Sequence, residues 1–234
     1  MDIVSKTKED YNKIAEFFAK TRADERELLQ FSALLKSGQR ILDWGCGNGR
    51  LIHLLKDRSI HYIGVDQSEE MIRLAEQEFK KECVEGWVSF QVIPGLPPWP
   101  LKDRQFDGIF SIASFHHLPT KQQRYAVVKE MARVLKDDGF LVLTTWNLMS
   151  DWALEHRTKG VWQEADEPGA YWIPWKSQDG TVLAERFYCH LEPADLEDAV
   201  VRAGLQVTAC YWSSESKESN RQEGKNLVCI ARKM

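Results

Sequence analysis

The 234-residue sequence has no apolar run near the roughly 20 residues that span a bilayer. Its first ten residues, Met1 to Asp10, carry no apolar signal-peptide core. It has no Cys-x-x-Cys pair. Its five cysteines (Cys46, Cys83, Cys189, Cys210, Cys229) are odd in number and scattered, which argues against a disulfide framework and a structural zinc site. Positive charge is not in excess either: Lys+Arg 31 against Asp+Glu 35 gives a net charge of −4. A sequence-blind polyanion binder is usually basic, so any nucleic-acid contact must rest on a local patch. No internal repeat and no low-complexity tract interrupts the chain. These absences predict a cytoplasmic protein with no membrane association and no metal.

What is present is ordinary globular composition, 43% hydrophobic and 28% charged. The length suits one large α/β domain, and a single domain over 1–234 is expected. Lys8 to Leu35 reads as helix, with Tyr11, Ile14, Ala15 and Phe18 near helical spacing, so 1–36 forms an N-terminal helical cap. Strands follow at Arg40–Asp43, His61–Asp66, Trp87–Ile93, Phe106–Ser114 and Phe140–Trp146, with helices between them. Ser68 caps the helix that runs to about Glu82. Strands apolar on both faces and alternating with helices imply a parallel sheet covered on both sides. A helix from Pro193 to Gly204 leads to strands Leu205–Trp212 and Asn226–Arg232. The polar stretch Ser213–Lys225 reads as a mobile loop. Residues 147–187 break the alternation and read as a lid inserted after the fifth strand.

Asp43-Trp44-Gly45-Cys46-Gly47-Asn48-Gly49 follows a strand and precedes a helix. Glycines at alternate positions let the backbone turn sharply and a ligand press against the main chain. Asp66 ends the next strand, where an acid can take both hydroxyls of a ribose. The loop's spacing differs from the dinucleotide fingerprint Gly-x-Gly-x-x-Gly. Its leading acid, Asp43, would repel a pyrophosphate but suits a neighbouring ammonium group. That favours S-adenosylmethionine, whose amino acid stands where a dinucleotide has phosphates.

On these residues the stretch Arg40–Trp146 resembles the class I S-adenosylmethionine-dependent methyltransferases. The resemblance implies a Rossmann-like α/β fold: a seven-stranded sheet with its last strand antiparallel and helices on both faces. It implies cofactor contacts at Asp43, Gly45, Gly47, Asn48 and Gly49, at Asp66 for the ribose, and at Gln67 and Met71 beside the adenine. Relatives often place an acid after the third strand. Here Pro94-Gly95-Leu96 stands there, so that contact would come from the Gly95 and Leu96 backbone or be lost. Ser111 and Phe115, at the end of the fourth strand, complete the expected set.

That strand delivers Ser111-Ile112-Ala113-Ser114-Phe115-His116-His117 to the sheet's carboxyl edge. Methyltransferases of amino groups often carry Asn/Asp-Pro-Pro-Tyr/Phe there. Ile112 in the first of those positions counts against a nitrogen acceptor. The two histidines either cap and pack, or one of them, His116 before His117, faces the acceptor as base or donor.

The flanks are similar to the tRNA wobble-uridine carboxymethyl methyltransferases. The likeness lies in Tyr11–Arg22, Ser111–Leu118, Trp146, Tyr171–Trp175 and Glu185–His190. It implies esterification of the carboxylate of 5-carboxymethyluridine, with Arg22, His116, Trp146 and Arg186 lining the acceptor pocket. It also implies tRNA as a partner, and a small zinc-binding activator protein covering an edge of the sheet. The chain departs from that family at Ala23-Asp24-Glu25-Arg26 and at Asn226-Leu227-Val228. Five of nine tryptophans (Trp146, Trp152, Trp162, Trp172, Trp175) fall in or beside the insertion, where they either stack on a base or form the lid's own core. A small-molecule O- or C-methyltransferase and a non-catalytic cofactor-binding scaffold are the alternatives.

Overall fold

Alternating apolar side chains put the central strands between two cores. On the fifth strand, Phe140 and Val142 join one core while Leu141 and Leu143 join the other. In the computed structural model, which describes residues 1–21, 26–56 and 58–234, five strands pair in parallel. They are β1 (Arg40–Trp44), β2 (His61–Asp66), β3 (Val88–Val92), β4 (Phe106–Ile112) and β5 (Leu135–Trp146), in the order β3-β2-β1-β4-β5. The chain then leaves the sheet for a separate antiparallel one, β6 (Gln163–Glu164), β7 (Ala170–Lys176) and β8 (Val182–Cys189). It returns as β9 (Leu205–Ser214), β10 (Lys217–Ser219) and β11 (Asn226–Lys233). The last strand, β11, slots antiparallel between β5 and β9.

The main sheet therefore has eight strands, the expected seven plus β10. The added strand lies in the polar stretch that reads as a mobile loop. Lys217–Ser219 pair back on Trp212–Ser214 across Glu215 and Ser216, both at positive φ. A short charged edge strand with such a turn has no apolar signature to reveal it.

Helices cover both faces. α5 (Lys121–Val134) and α7 (Pro193–Arg202) bury Val127, Met131, Leu196 and Val200 on one side. On the other lie α2 (Ile52–Leu55), α3 (Glu69–Glu78) with the short α4 (Lys80–Val84) after it, and a 3-10 helix (Arg26–Leu34) that inserts Leu28 and Phe31. Ser68 caps α3 by accepting from the Met71 amide at 3.2 Å. Thr120 and Gln123 close a capping box on α5.

The expected helix Lys8–Leu35 is two elements. α1 (Ile3–Thr21) starts earlier and ends at Thr21, and the 3-10 helix begins at Arg26. After β5 comes α6 (Asp151–Thr158), which with β7 and β8 encloses a small core of Leu148, Ala153, Trp162, Tyr171, Ile173 and Tyr188. Among the described residues no helix is long and apolar enough to cross a membrane.

Candidate active site

The carboxyl ends of the parallel strands open into a cleft whose space, counted out into open solvent, is about 960 Å³. In open α/β sheets small-molecule and cofactor sites lie at this edge. Its floor is the loop after β1, Trp44 to Asn48. Asp66 and Gln67 border it after β2, Ile93 to Gly95 after β3, Ile112 to Ser114 after β4, and Trp146 at the end of β5.

The glycine loop is stitched to its neighbours. Gly45 has φ +72°, and a Cβ there would stand 2.3 Å from the Ser114 hydroxyl oxygen. That hydroxyl donates to the Gly45 carbonyl at 2.9 Å, locking the loop to the end of β4. A Cβ on Gly49 would press at 3.0 Å on Phe79 and Phe90, so this glycine serves packing against α3 and β3. Beyond Gly47, by contrast, the nearest atom is Phe18 at 3.9 Å, and the cleft passes over it.

Asp66 accepts from the Gly47 amide and the Ser68 amide, each at 2.9 Å. Burial raises its pKa, and these two amides oppose the rise. Its carboxylate borders the cleft with lone pairs to spare. Asp43 does not border it. Its carboxyl is buried and accepts from the Tyr62 hydroxyl at 2.9 Å. Burial pushes its pKa up to about 7 despite that bond.

Of the expected cofactor residues, the cleft brings together Gly45, Gly47, Asn48, Asp66, Gln67, Met71 and Gly95. Asp43, Gly49, Leu96, Ser111 and Phe115 lie outside its lining. Ser111 and Phe115 are fully buried, and Leu96 packs against the main core. Of the expected acceptor residues that are described, only Trp146 borders the cleft. Arg22 lies outside the described residues.

His116 is fully buried one layer back. Its Nδ1 accepts from the Trp146 amide at 3.0 Å, and its ring lies 4.7 Å from that of Tyr188. It is His117 that borders the cleft. Its Nδ1 lies 2.6 Å from the Phe187 carbonyl, and its Nε2 lies 2.9 Å from the Tyr11 hydroxyl. A carbonyl only accepts, so Nδ1 carries the hydrogen and Tyr11 donates to Nε2. Burial lowers the His117 pKa to about 3.

Arg186 is 3% exposed and also sits behind the wall. Its guanidinium stacks on Trp175 at 4.9 Å and Tyr188 at 5.2 Å, and its Nη1 donates to the Tyr188 hydroxyl at 2.7 Å. Its Nε has no hydrogen-bond partner, and no carboxylate among the described residues makes an ion pair with it.

Two contributors stand out in the sequence only as parts of wider segments, the N-terminal cap and the stretch Glu185–His190. Val4, Thr7, Tyr11 and Phe18 put one stripe of α1 over the cleft as a roof. The signal was the helical spacing, but a core-facing stripe has the same period. Tyr188 closes the far wall, stacked on Trp146 at 4.9 Å and 21°. Among the clustered tryptophans, Trp162 belongs to the core of the inserted sheet. Trp172 packs on Phe187 and Trp175 on Phe18, while Trp152 stays 43% exposed.

Residues 42–143 match the methyltransferase domain family. A tRNA (carboxymethyluridine(34)-5-O)-methyltransferase of Arabidopsis thaliana is 34% identical over 137 residues, 58% of this chain and 31% of that protein. The 27-O-demethylrifamycin SV methyltransferase of Amycolatopsis mediterranei is 30% identical over 192 residues, 81% of this chain and 64% of that protein. The chain thus spans less than two thirds of the length of either. A solved structure, the complex between the Haloferax volcanii Trm112 methyltransferase activator and a putative methyltransferase, superposes with TM-score 0.65 at 16% identity. It covers 95% of this chain and 96% of that one. With the strand order, the glycine loop and the cleft above it, these likenesses identify residues 42–143 as an S-adenosylmethionine-dependent methyltransferase domain of the class I fold, in a chain that resembles the tRNA carboxymethyluridine methyltransferases.

Proposed function

We propose that the chain is an enzyme that transfers a methyl group from S-adenosylmethionine to an ionised oxygen, the carboxylate of 5-carboxymethyluridine at the wobble position of tRNA. In this reading 1–234 acts as one methyltransferase domain, 1–36 caps the cleft and 147–187 is its lid. Asp66 takes the ribose hydroxyls, Gly45, Gly47 and Asn48 cradle the amino-acid end, and Gln67, Met71 and Gly95 flank the adenine.

The observation that carries the acceptor reading is Arg186, a buried guanidinium with no carboxylate in ion-pair contact, set directly behind the cleft wall. A buried cation without a counter-ion in contact is costly unless an anion arrives. The cofactor supplies an electrophilic sulfonium methyl. A carboxylate is already ionised at neutral pH, so the protein needs to bind, align and dry the acceptor, and no base is required. His117, neutral and hydrogen-bonded at both nitrogens, suits a structural role in such a site.

A small-molecule oxygen acceptor is the second reading. It is favoured by the rifamycin-modifying relative and by the net charge of −4. A small zinc-binding activator covering an edge of the sheet belongs with the tRNA reading, and the neighbour solved with the Trm112 activator supports it. The test is to incubate the protein, with and without such an activator, with methyl-labelled cofactor and tRNA from cells that lack wobble esterification. The tRNA is then digested to nucleosides. The expected product is a base-labile methyl ester on carboxymethyluridine. Label absent from tRNA in both arms contradicts the tRNA acceptor.

A further inference from the structure

Tyr11 and Tyr188 line the cleft and both meet Arg186, and their hydroxyl hydrogens have different fates. The Tyr11 hydrogen is committed to His117 Nε2, because the Phe187 carbonyl fixes the histidine hydrogen on Nδ1. The Tyr188 oxygen accepts from Arg186 Nη1 at 2.7 Å, and the same guanidinium also meets the Tyr11 hydroxyl. That bond occupies one lone pair and forbids the hydroxyl from turning its own hydrogen toward the guanidinium. No described residue accepts that hydrogen. The ring cannot swing away, since it is stacked on Trp146 at 4.9 Å and on His116 at 4.7 Å, with His117 edge-on at 4.5 Å. Arg186 itself does not border the cleft, whereas Tyr188 does.

We infer that Tyr188 is the group that touches the methyl acceptor, donating its hydroxyl hydrogen to an anionic oxygen, and that Arg186 is a positioning residue acting through it. The inference rests on the proposed oxygen acceptor and refines which side chain meets it. A phenol whose oxygen already accepts from a cation is a stronger donor, through hydrogen-bond polarisation. It therefore suits a carboxylate oxygen, while the guanidinium behind it disfavours a protonated amine by like-charge repulsion. The guanidinium, in turn, balances the acceptor's charge from behind the wall without surrendering its stacks on Trp175 and Tyr188.

The experiment is a double-mutant cycle of Tyr188→Phe, Arg186→Lys and the pair. Transfer to carboxymethyluridine-bearing tRNA, affinity for S-adenosylhomocysteine and melting temperature are measured on each. Tyr188→Phe keeps the stacked ring and loses one bond to a charged group. The expectation is a kcat/KM lower by roughly 10- to 100-fold, with S-adenosylhomocysteine affinity unchanged. The two single losses should not multiply in the pair, because both variants break one contact. Fully multiplicative losses mean that Arg186 grips the acceptor itself, and they overturn the inference. So does a Tyr188→Phe enzyme as fast as the wild type, or one that unfolds or loses S-adenosylhomocysteine affinity in parallel with transfer. No transfer by the wild type, with or without an activator, overturns the proposed acceptor and this inference with it.

Discussion

Asp43 shows how a single side chain can be read correctly as special and yet stand in a different place from the one its motif suggests. The acid that opens the glycine loop is visible in the sequence. What is not visible is that it turns away from the cleft to meet Tyr62 in a fully desolvated pocket. Its folded pKa, about 7, lies above the unfolded value near 3.9. The native state therefore binds more protons than the unfolded chain between those values, and this group's contribution to stability falls as pH rises from about 4 to 7. An asparagine side chain in its place would be neutral throughout and could still accept from Tyr62. Asp43→Asn is expected to gain in melting temperature relative to wild type as the pH is raised from 5 to 8. Scanning calorimetry at both values checks this, and a constant gap contradicts it. The neighbouring His117 affects both proteins alike and cancels. Tyr188 was legible only as part of a resemblance, because its importance comes from Arg186 behind it and Trp146 beside it, and the latter is brought there by the fold alone.

At the scale of elements, the parallel strands were legible because most of their residues are apolar and buried, the edge strand β3 with its exposed Ser89, Gln91 and Val92 excepted, and turn residues punctuate them. Gly108 in β4 illustrates what such runs conceal. A Cβ there would stand 2.2 Å from the Phe140 ring, so this glycine makes room for an aromatic on the next strand. Gly108→Ala should overpack that contact and cost about 1–3 kcal/mol of stability. Urea unfolding measures it, and a loss under about 0.5 kcal/mol, ordinary for a surface change, contradicts the packing account. The N-terminal helix was legible as a cap, but not which of its side chains face the cleft. Its stripe of Tyr11 and Phe18 has the period of any buried face. What distinguishes it is contact with elements distant in sequence: Asn12 accepts from the Ser68 hydroxyl and the Glu70 amide, and Lys6 donates to the Glu185 carbonyl. The strand β10 was illegible, since three polar residues on a sheet edge carry no periodic signal.

For the whole molecule, α1 ties the two halves of the cleft. Through Asn12 it holds the start of α3, beside Asp66, and through Lys6 and Tyr11 it holds the inserted sheet and His117. The cleft is thus walled by the N-terminal helix and the inserted sheet, with the glycine loop at its floor. We propose that this cleft is the cofactor site, with Asp66 as its ribose anchor. Titration calorimetry of S-adenosylhomocysteine into the wild type and Asp66→Asn tests it most directly. The variant keeps one acceptor oxygen but loses the charge and the second, a loss of about 1.5–3 kcal/mol for bonds to a charged group. Binding should weaken by roughly 10- to 150-fold, and a folded Asp66→Asn protein with wild-type affinity would contradict the assignment.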